Sequence, residues 1–290
     1  MSEVSPVTVS LDNRVRLLAA VLATSHWPEL EQAQAPHAVH TQSKLTKLAM
    51  SAAFPEPPAA TATVNAALAA GVGLGDLFTA ALCGRWPDFW EEEPLPATLS
   101  HTDLLRHLAD CAAQVELETG LWAEQEVVWH EAKADLEAIF HNTPLPDFLG
   151  RALGRPLTKA ITIVPTLVYP MLNSAVAETA AHLTLIIPPP KAWGESPPWP
   201  YRDGHDVVLA ETCRELLHHL LADELRTRPA HEVELLKHAA ATLFLEEALT
   251  DGEGMSYLVR AKRQYSLPEL PATVERLRPL LQNGRGILGQ

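Results

Sequence analysis

Cysteine is scarce in this sequence, with three residues in 290: Cys83, Cys111 and Cys213. They are odd in number, far apart and set among apolar or helical residues, which excludes a disulfide framework and suits reduced thiols in a cytosolic protein. Positive charge is short as well. Lys plus Arg number 22 against 36 Asp plus Glu, a formal net charge of -14, so the chain would repel a phosphate backbone and non-sequence-specific nucleic-acid binding is excluded. No apolar run is long enough to span a bilayer, and no membrane partner is expected. The leader-like stretch at 14–24 begins after an acidic residue, well inside the chain, and has no cleavage site before Trp27, so it is not read as a signal peptide. No internal repeat is present. A G-x-S-x-G nucleophile elbow is missing, and Cys213 falls on the core side of its helix, so serine and cysteine hydrolase chemistry find no support. Gly71, Gly73 and Gly75 resemble half of a nucleotide-binding loop, but no strand precedes them and no lysine follows, which removes the phosphate cradle.

What is present is apolar residue in quantity. The hydrophobic fraction of 47% is enough for one large α-rich domain or two modest ones. Alternation at 7–11 predicts a short strand, and Asp12 is placed to cap a helix running to about Thr24. Further helices are expected at 37–53 and 59–81, separated by Pro55-Glu56-Pro57-Pro58, and at 102–119 and 120–141. After Phe148-Leu149-Gly150 the texture changes. Ala160-Ile161-Thr162-Ile163-Val164 and His182-Leu183-Thr184-Leu185-Ile186-Ile187 are β-rich, and the proline-rich stretch 188–200 reads as an ordered loop or lid. Helices resume at 207–222, 231–249, 256–265 and 271–281. The expected fold class is mainly α with a small β element (α+β). Its organisation is a mostly helical region 1–150 followed by a region 151–290 that holds the strands and the candidate site.

The candidate site is 211–218, Glu-Thr-Cys-Arg-Glu-Leu-Leu-His. A zinc peptidase helix carries H-E-x-x-H, two histidines one turn apart with a glutamate that activates the metal-bound water. Arg214-Glu215-Leu216-Leu217-His218 matches this pattern except at the first ligand. About 100° per residue gathers Glu211, Arg214, Glu215 and His218 on one polar face, opposite Leu209, Cys213, Leu216 and Leu220. The plain alternative is a solvated ladder of ion pairs among Glu211, Arg214 and His218. A second helix carries Glu246 and Glu247. Projection places Glu246 amid Leu235, Ala239, Thr242, Leu243 and Leu249, facing inward, where a carboxylate must be paired or protonated. Glu247 lies nearer the edge of that stripe.

The succession of a Val-Thr-Val-Ser-Leu-Asp strand entering a helix, a long helical first half, a Phe-Leu-Gly turn, two strands ending in Ile-Ile-Pro-Pro-Pro, the degenerate motif helix and the glutamate helix resembles an uncharacterised bacterial family of gluzincin-type metallopeptidase-like proteins. The resemblance covers most of the chain. It implies a zincin-like fold, with Glu215 at the general-base position, His218 at the second ligand position and Glu246 as the carboxylate ligand, Glu247 being second choice.

Arginine cannot ligate zinc. The expectation is therefore that the Arg214 guanidinium replaces the metal, pairing with Glu215 and Glu246, and that no cofactor is bound by the standard route. The chain would then be a catalytically inactive scaffold that binds a peptide or protein along the strand at 183–187, beside the motif helix, as zincins bind substrate along an edge strand. One alternative keeps zinc, held by Glu211, His218 and Glu246 with His219 or His205, and makes the chain an active metal-dependent hydrolase with a mixed N/O ligand set. Another is an interaction protein in which the motif is coincidence. The remaining close histidines, His37 with His40, His130 and His141, read as surface or helix-terminal. The pairs Glu126 with His130 and Glu137 with His141 are spaced i, i+4, the wrong interval for a di-iron bundle.

Overall fold

The computed structural model describes residues 7–34, 39–115, 125–168, 173–191 and 198–289. The fold is mainly helical with a small sheet, as the sequence implies. It divides into two compact units that interleave along the chain and so do not follow the regions 1–150 and 151–290. The first comprises Met1–Thr8, Ala138–Ile161 and Gly204–Gln290; the second comprises Val9–Glu137 and Thr162–Asp203.

The second unit is built around helix α1 (Asn13–Ala23), which starts because the Asp12 side chain accepts from the backbone N–H groups of Arg14 and Val15. Residues 15–23 are all buried. A helix buried over this length, apolar from Leu17 to Ala23, must be surrounded, and α2 (Trp27–Gln34), α3 (Thr41–Ala53), α4 (Ala59–Ala69), α5 (Leu74–Cys83) and α6 (Leu104–Gln114) pack against it. The single helix expected at 59–81 is two. α4 ends at Ala70, Gly71 takes φ +83°, and α5 restarts after Gly73; only glycine adopts that conformation without strain. The short hairpin of β2 (Gly84–Arg85) and β3 (Trp90–Glu91) and the helix α2 were not expected. The long helix α7 (Glu126–Phe140) follows. The parts of the expected helices at 116–124 and 37–38, including His37, and the middle of the proline-rich stretch, 192–197, lie outside the described residues.

The sheet has the order β1 (Thr8–Val9), β4 (Ala160–Pro165), β6 (His182–Ile187), β5 (Ala175–Glu178). β5 and β6 are antiparallel, with Val176 opposite Leu185. This order corrects one expectation. β6 lies between two strands, so both of its backbone edges are used and no peptide can be added along 183–187. The outer edge of β5 is closed as well. A Cβ at Gly75 of α5 would lie 2.7 Å from the Val176 carbonyl oxygen, and the Glu178 N–H donates to Thr79 Oγ1 of the same helix at 3.0 Å. A helix laid on a strand edge in this way removes it as a docking rail.

The first unit centres on α11 (Ala230–Ala248), which packs against α8 (Leu145–Leu153), α9 (His205–Leu220), α12 (Asp251–Gln264) and α13 (Leu270–Gln282); a one-turn helix, α10 (Ala222–Leu225), follows α9. The expected Phe-Leu-Gly turn is instead the middle of α8, a helix with proline near its first turn and a left-handed Gly154 beyond its end, the usual helix punctuation. Phe148 of α8 meets Phe244 of α11 with ring centroids 5.2 Å apart.

Candidate functional site

The polar face of α9 is turned into the first unit. Val208, Leu209, Cys213, Leu216 and Leu217 are buried on the apolar side, but the Arg214 side chain on the other side is itself only 13% exposed. Its NH2 group pairs with Glu211 one turn earlier and lies 3.8 Å from Glu215 Oε1. Its NH1 group lies 3.5 Å from Tyr265 Oη and 3.5 Å from His238 Nε2. Of the ladder expected in solvent among Glu211, Arg214 and His218, the Glu211–Arg214 pair is formed and largely turned away from solvent, while His218 is exposed. Burial by itself would lower the Arg214 pKa, and Glu211 with the two nearby tyrosines more than reverses that, so the guanidinium stays charged.

What faces Arg214 from α11 is one turn of polar side chains. His238 is fully buried. Its Nδ1 lies 2.7 Å from Tyr257 Oη of α12, and its Nε2 lies 3.5 Å from Glu234 Oε2. We assign the neutral ring an Nε2–H, because the carboxylate lies on that side and the Tyr257 hydroxyl can then donate to Nδ1. On that assignment Arg214 NH1 is an electrostatic neighbour of the ring rather than a donor to it. Burial and the Arg214 cation hold His238 below the ordinary histidine range, against the pull of Glu234. Lys237 reaches Glu234 at 2.7 Å. The Tyr265 ring lies against His238 at 4.3 Å between centroids and under the Arg214 guanidinium at 5.8 Å. Glu215 stands at the rim of this group, 22% exposed. Burial, with Glu211 beside it, pushes its carboxyl up to about 7.

The other residues assigned from sequence lie elsewhere. Glu246 does not pair with Arg214; both its oxygens are taken by Arg278 of α13, at 2.6 and 3.2 Å. Projection correctly made Glu246 inward-facing, and it is 14% exposed. Its partner comes from a helix that a projection of α11 cannot see. Glu247 is exposed and pairs with Arg151. His218 and His205 are exposed, and His219 is half-buried. The residues thus do not fit a standard zinc site: the first ligand position is a cation, the expected carboxylate is engaged by an arginine, and no three His, Cys, Asp or Glu among the described residues could hold a metal together. The cluster residues that sequence reasoning passed over are Glu234, Lys237, His238, Tyr257 and Tyr265. His238 was legible, since it falls in the Leu235, Ala239, Thr242 stripe already used for Glu246, and a histidine there must find partners.

Elsewhere His40 caps α3 by accepting the Gln42 N–H on Nδ1, and His130 lies 3.4 Å from Glu126 on the exposed face of α7, the helix-terminal and surface roles expected of them. Cys83, Cys111 and Cys213 are free and buried, and burial pushes the Cys111 thiol up to about 12, so it is an inert core residue. No helix among the described residues is long and apolar enough to cross a membrane. No protein-family model, curated protein or solved structure matches the chain.

Proposed function

We propose that this chain is a cytosolic, non-catalytic scaffold that binds a peptide or protein, and that its degenerate H-E-x-x-H helix has a structural role. The observation that carries this is the environment of Arg214: a largely buried cation ringed by Glu211, Glu215, His238 and Tyr265, set between α9, the polar turn of α11 and the end of α12. A guanidinium in that position does electrostatically what a bound metal does between helices, gathering donors and carboxylates that would otherwise be buried without a counter-charge. It offers neither a Lewis acid nor a bound water. Descent from a gluzincin-type peptidase agrees with the register of Arg214, Glu215 and His218. It draws nothing from Glu246, whose carboxylate serves Arg278. The partner would not be met along β6 or β5, because β6 lies between two strands and the outer edge of β5 is covered by α5.

The competing reading is a hydrolase with a non-standard ligand set around Glu215, whose raised pKa is of the kind found at general bases. Metal analysis of the purified chain, together with a peptide-hydrolysis assay with and without chelator, separates the two. The scaffold reading expects zinc well below one ion per chain and no chelator-sensitive turnover. Stoichiometric metal lost on His218→Ala, with turnover lost alongside it, would overturn it.

A further inference from the structure

Charge and exposed apolar surface are distributed unevenly, and two patches complement each other. The segment 251–290 carries six Lys or Arg against four Asp or Glu, in a chain whose net charge is -14. On α12 the positions 255, 259, 262 and 263 fall within one stripe at 100° per residue. They are Met255, 56% exposed, Val259, 43% exposed, and the exposed Lys262 and Arg263. Neither Lys262 nor Arg263 enters an ion pair among the described residues, whereas their neighbour Arg260 is held by Asp206 at 2.6 Å. The opposite side of α12, with Tyr257, Leu258 and Ala261, is buried. The helix thus shows solvent a face that is apolar at one end and basic at the other.

The hairpin of β2 and β3 has the converse character. Trp90 is 70% exposed, and Glu91 and Glu92 beside it are exposed too. The tip is held rigid from below. Phe89 is buried, Arg85 bridges Asp88 at 2.7 Å, Asp88 accepts the Trp90 N–H at 3.2 Å, and the Cys83 carbonyl accepts the Glu92 N–H at 2.8 Å. A large aromatic displayed on a pre-ordered turn loses little entropy on docking, the property of a binding anchor. Lysine and arginine over an indole face are favoured partners, and the flanking carboxylates supply their counter-charge.

We propose that these two patches are the halves of one interface between copies of this chain: the Trp90 hairpin of one copy docks on the Met255, Val259, Lys262, Arg263 face of α12 in another. A second copy is favoured as occupant because both complementary halves reside on the same polypeptide, while the rest of an acidic surface repels its like. The contact joins two unlike surfaces, so each copy carries one of each and association can continue from copy to copy. It stands independently of the role given to Arg214.

Sedimentation velocity over a concentration series tests this, with circular dichroism and melting as fold controls. The wild-type chain is expected to self-associate at about 0.01 M salt and to do so less at about 1 M, where the screening length falls to about 3 Å. Trp90→Ala and the double variant Lys262→Glu/Arg263→Glu should each be monomeric alone. Mixed one to one they should form a heterodimer that grows no further, since each keeps the half the other lacks. Met255→Ser, on the same face of α12, serves as second variant if the charge reversal disturbs folding. A monomeric wild type at every concentration, either variant associating as the wild type does, or a mixture that stays monomeric would each overturn the proposal.

Discussion

Each unit has a central helix, α1 in one and α11 in the other, but the two are enclosed by different chemistry. Around α1 the neighbours are Met50, Leu77, Phe78, Leu104 and Leu108, and the core takes in Val15, Leu17, Leu18, Ala20, Val21 and Leu22, with Arg16 as the one buried charge of α1, laid over the Trp129 ring. Around α11 the lower turns meet Leu and Phe side chains, while the turn at 234–238 meets Arg214, Tyr257 and Tyr265. The first arrangement is non-directional, and its stability scales with the apolar area removed from water. The second depends on every member being present, because any charge or donor left without its partner remains buried. A polar cluster of this kind specifies which turn of α9 faces which turn of α11. An apolar seam of leucines and alanines would not.

The comparison is tested most strongly by paired deletions. Arg214→Ala should destabilise the chain by roughly 3–5 kcal/mol, the scale for stranding a buried charge partner, and Leu18→Ala by about 3–5 kcal/mol through the cavity left in a fully buried site. The two should respond in opposite ways to a second change. Arg214→Met combined with Glu211→Leu is expected to recover most of the loss, whereas adding Leu22→Ala to Leu18→Ala deepens it. Chemical denaturation measures both, and an Arg214→Ala variant that unfolds like the wild type would abolish the distinction between the units.

A smaller effect is expected from pH. Glu215 is raised from its ordinary 4.5 to about 7, so its folded-state protonation stabilises fully below the ordinary value and is lost as pH rises through about 7. His238, depressed in the fold, acts in the reverse sense over part of that range, so the contribution of Glu215 is best isolated by Glu215→Gln. That variant should match the wild type near pH 5 and exceed it near pH 8 by up to roughly 3 kcal/mol. Leu18→Ala should show the same deficit at both. A flat difference between Glu215→Gln and the wild type would mean that the carboxyl is solvated. The smallest effect is expected from Tyr257→Phe, which leaves His238 Nδ1 without its 2.7 Å partner and should cost about 1–2 kcal/mol in thermal unfolding.

Much of the fold was legible along the chain. The Asp12 cap, the strand at 182–187 and the helices at 231–249 and 271–281 lie within a residue or two of their observed bounds, because caps and hydrophobic period act over a few residues. α8 is marked at its ends by proline and Gly154, yet Phe148-Leu149-Gly150 in its middle reads locally as a turn, because a glycine inside a helix carries the same signal as one beyond its end. At the site, the period of α9 put Glu211, Arg214 and Glu215 on one face, and the period of α11 put Glu246 inside. Which cation reaches Glu246 was settled by α13, and which residues surround Arg214 by α11 and α12.

The sequence by itself therefore determined that Arg214, rather than histidine, stands at the first position of the motif, and that a mainly helical chain with buried thiols and a large negative charge carries it. Only the tertiary structure decided that Arg214 is enclosed by Glu211, His238 and Tyr265, that Glu246 belongs to Arg278, and that β6 is an interior strand closed to an added peptide. The reason is one of range. Helical and strand periodicity fixes the direction of a side chain relative to its own backbone within a turn, whereas the identity of its partner depends on how elements distant in sequence pack.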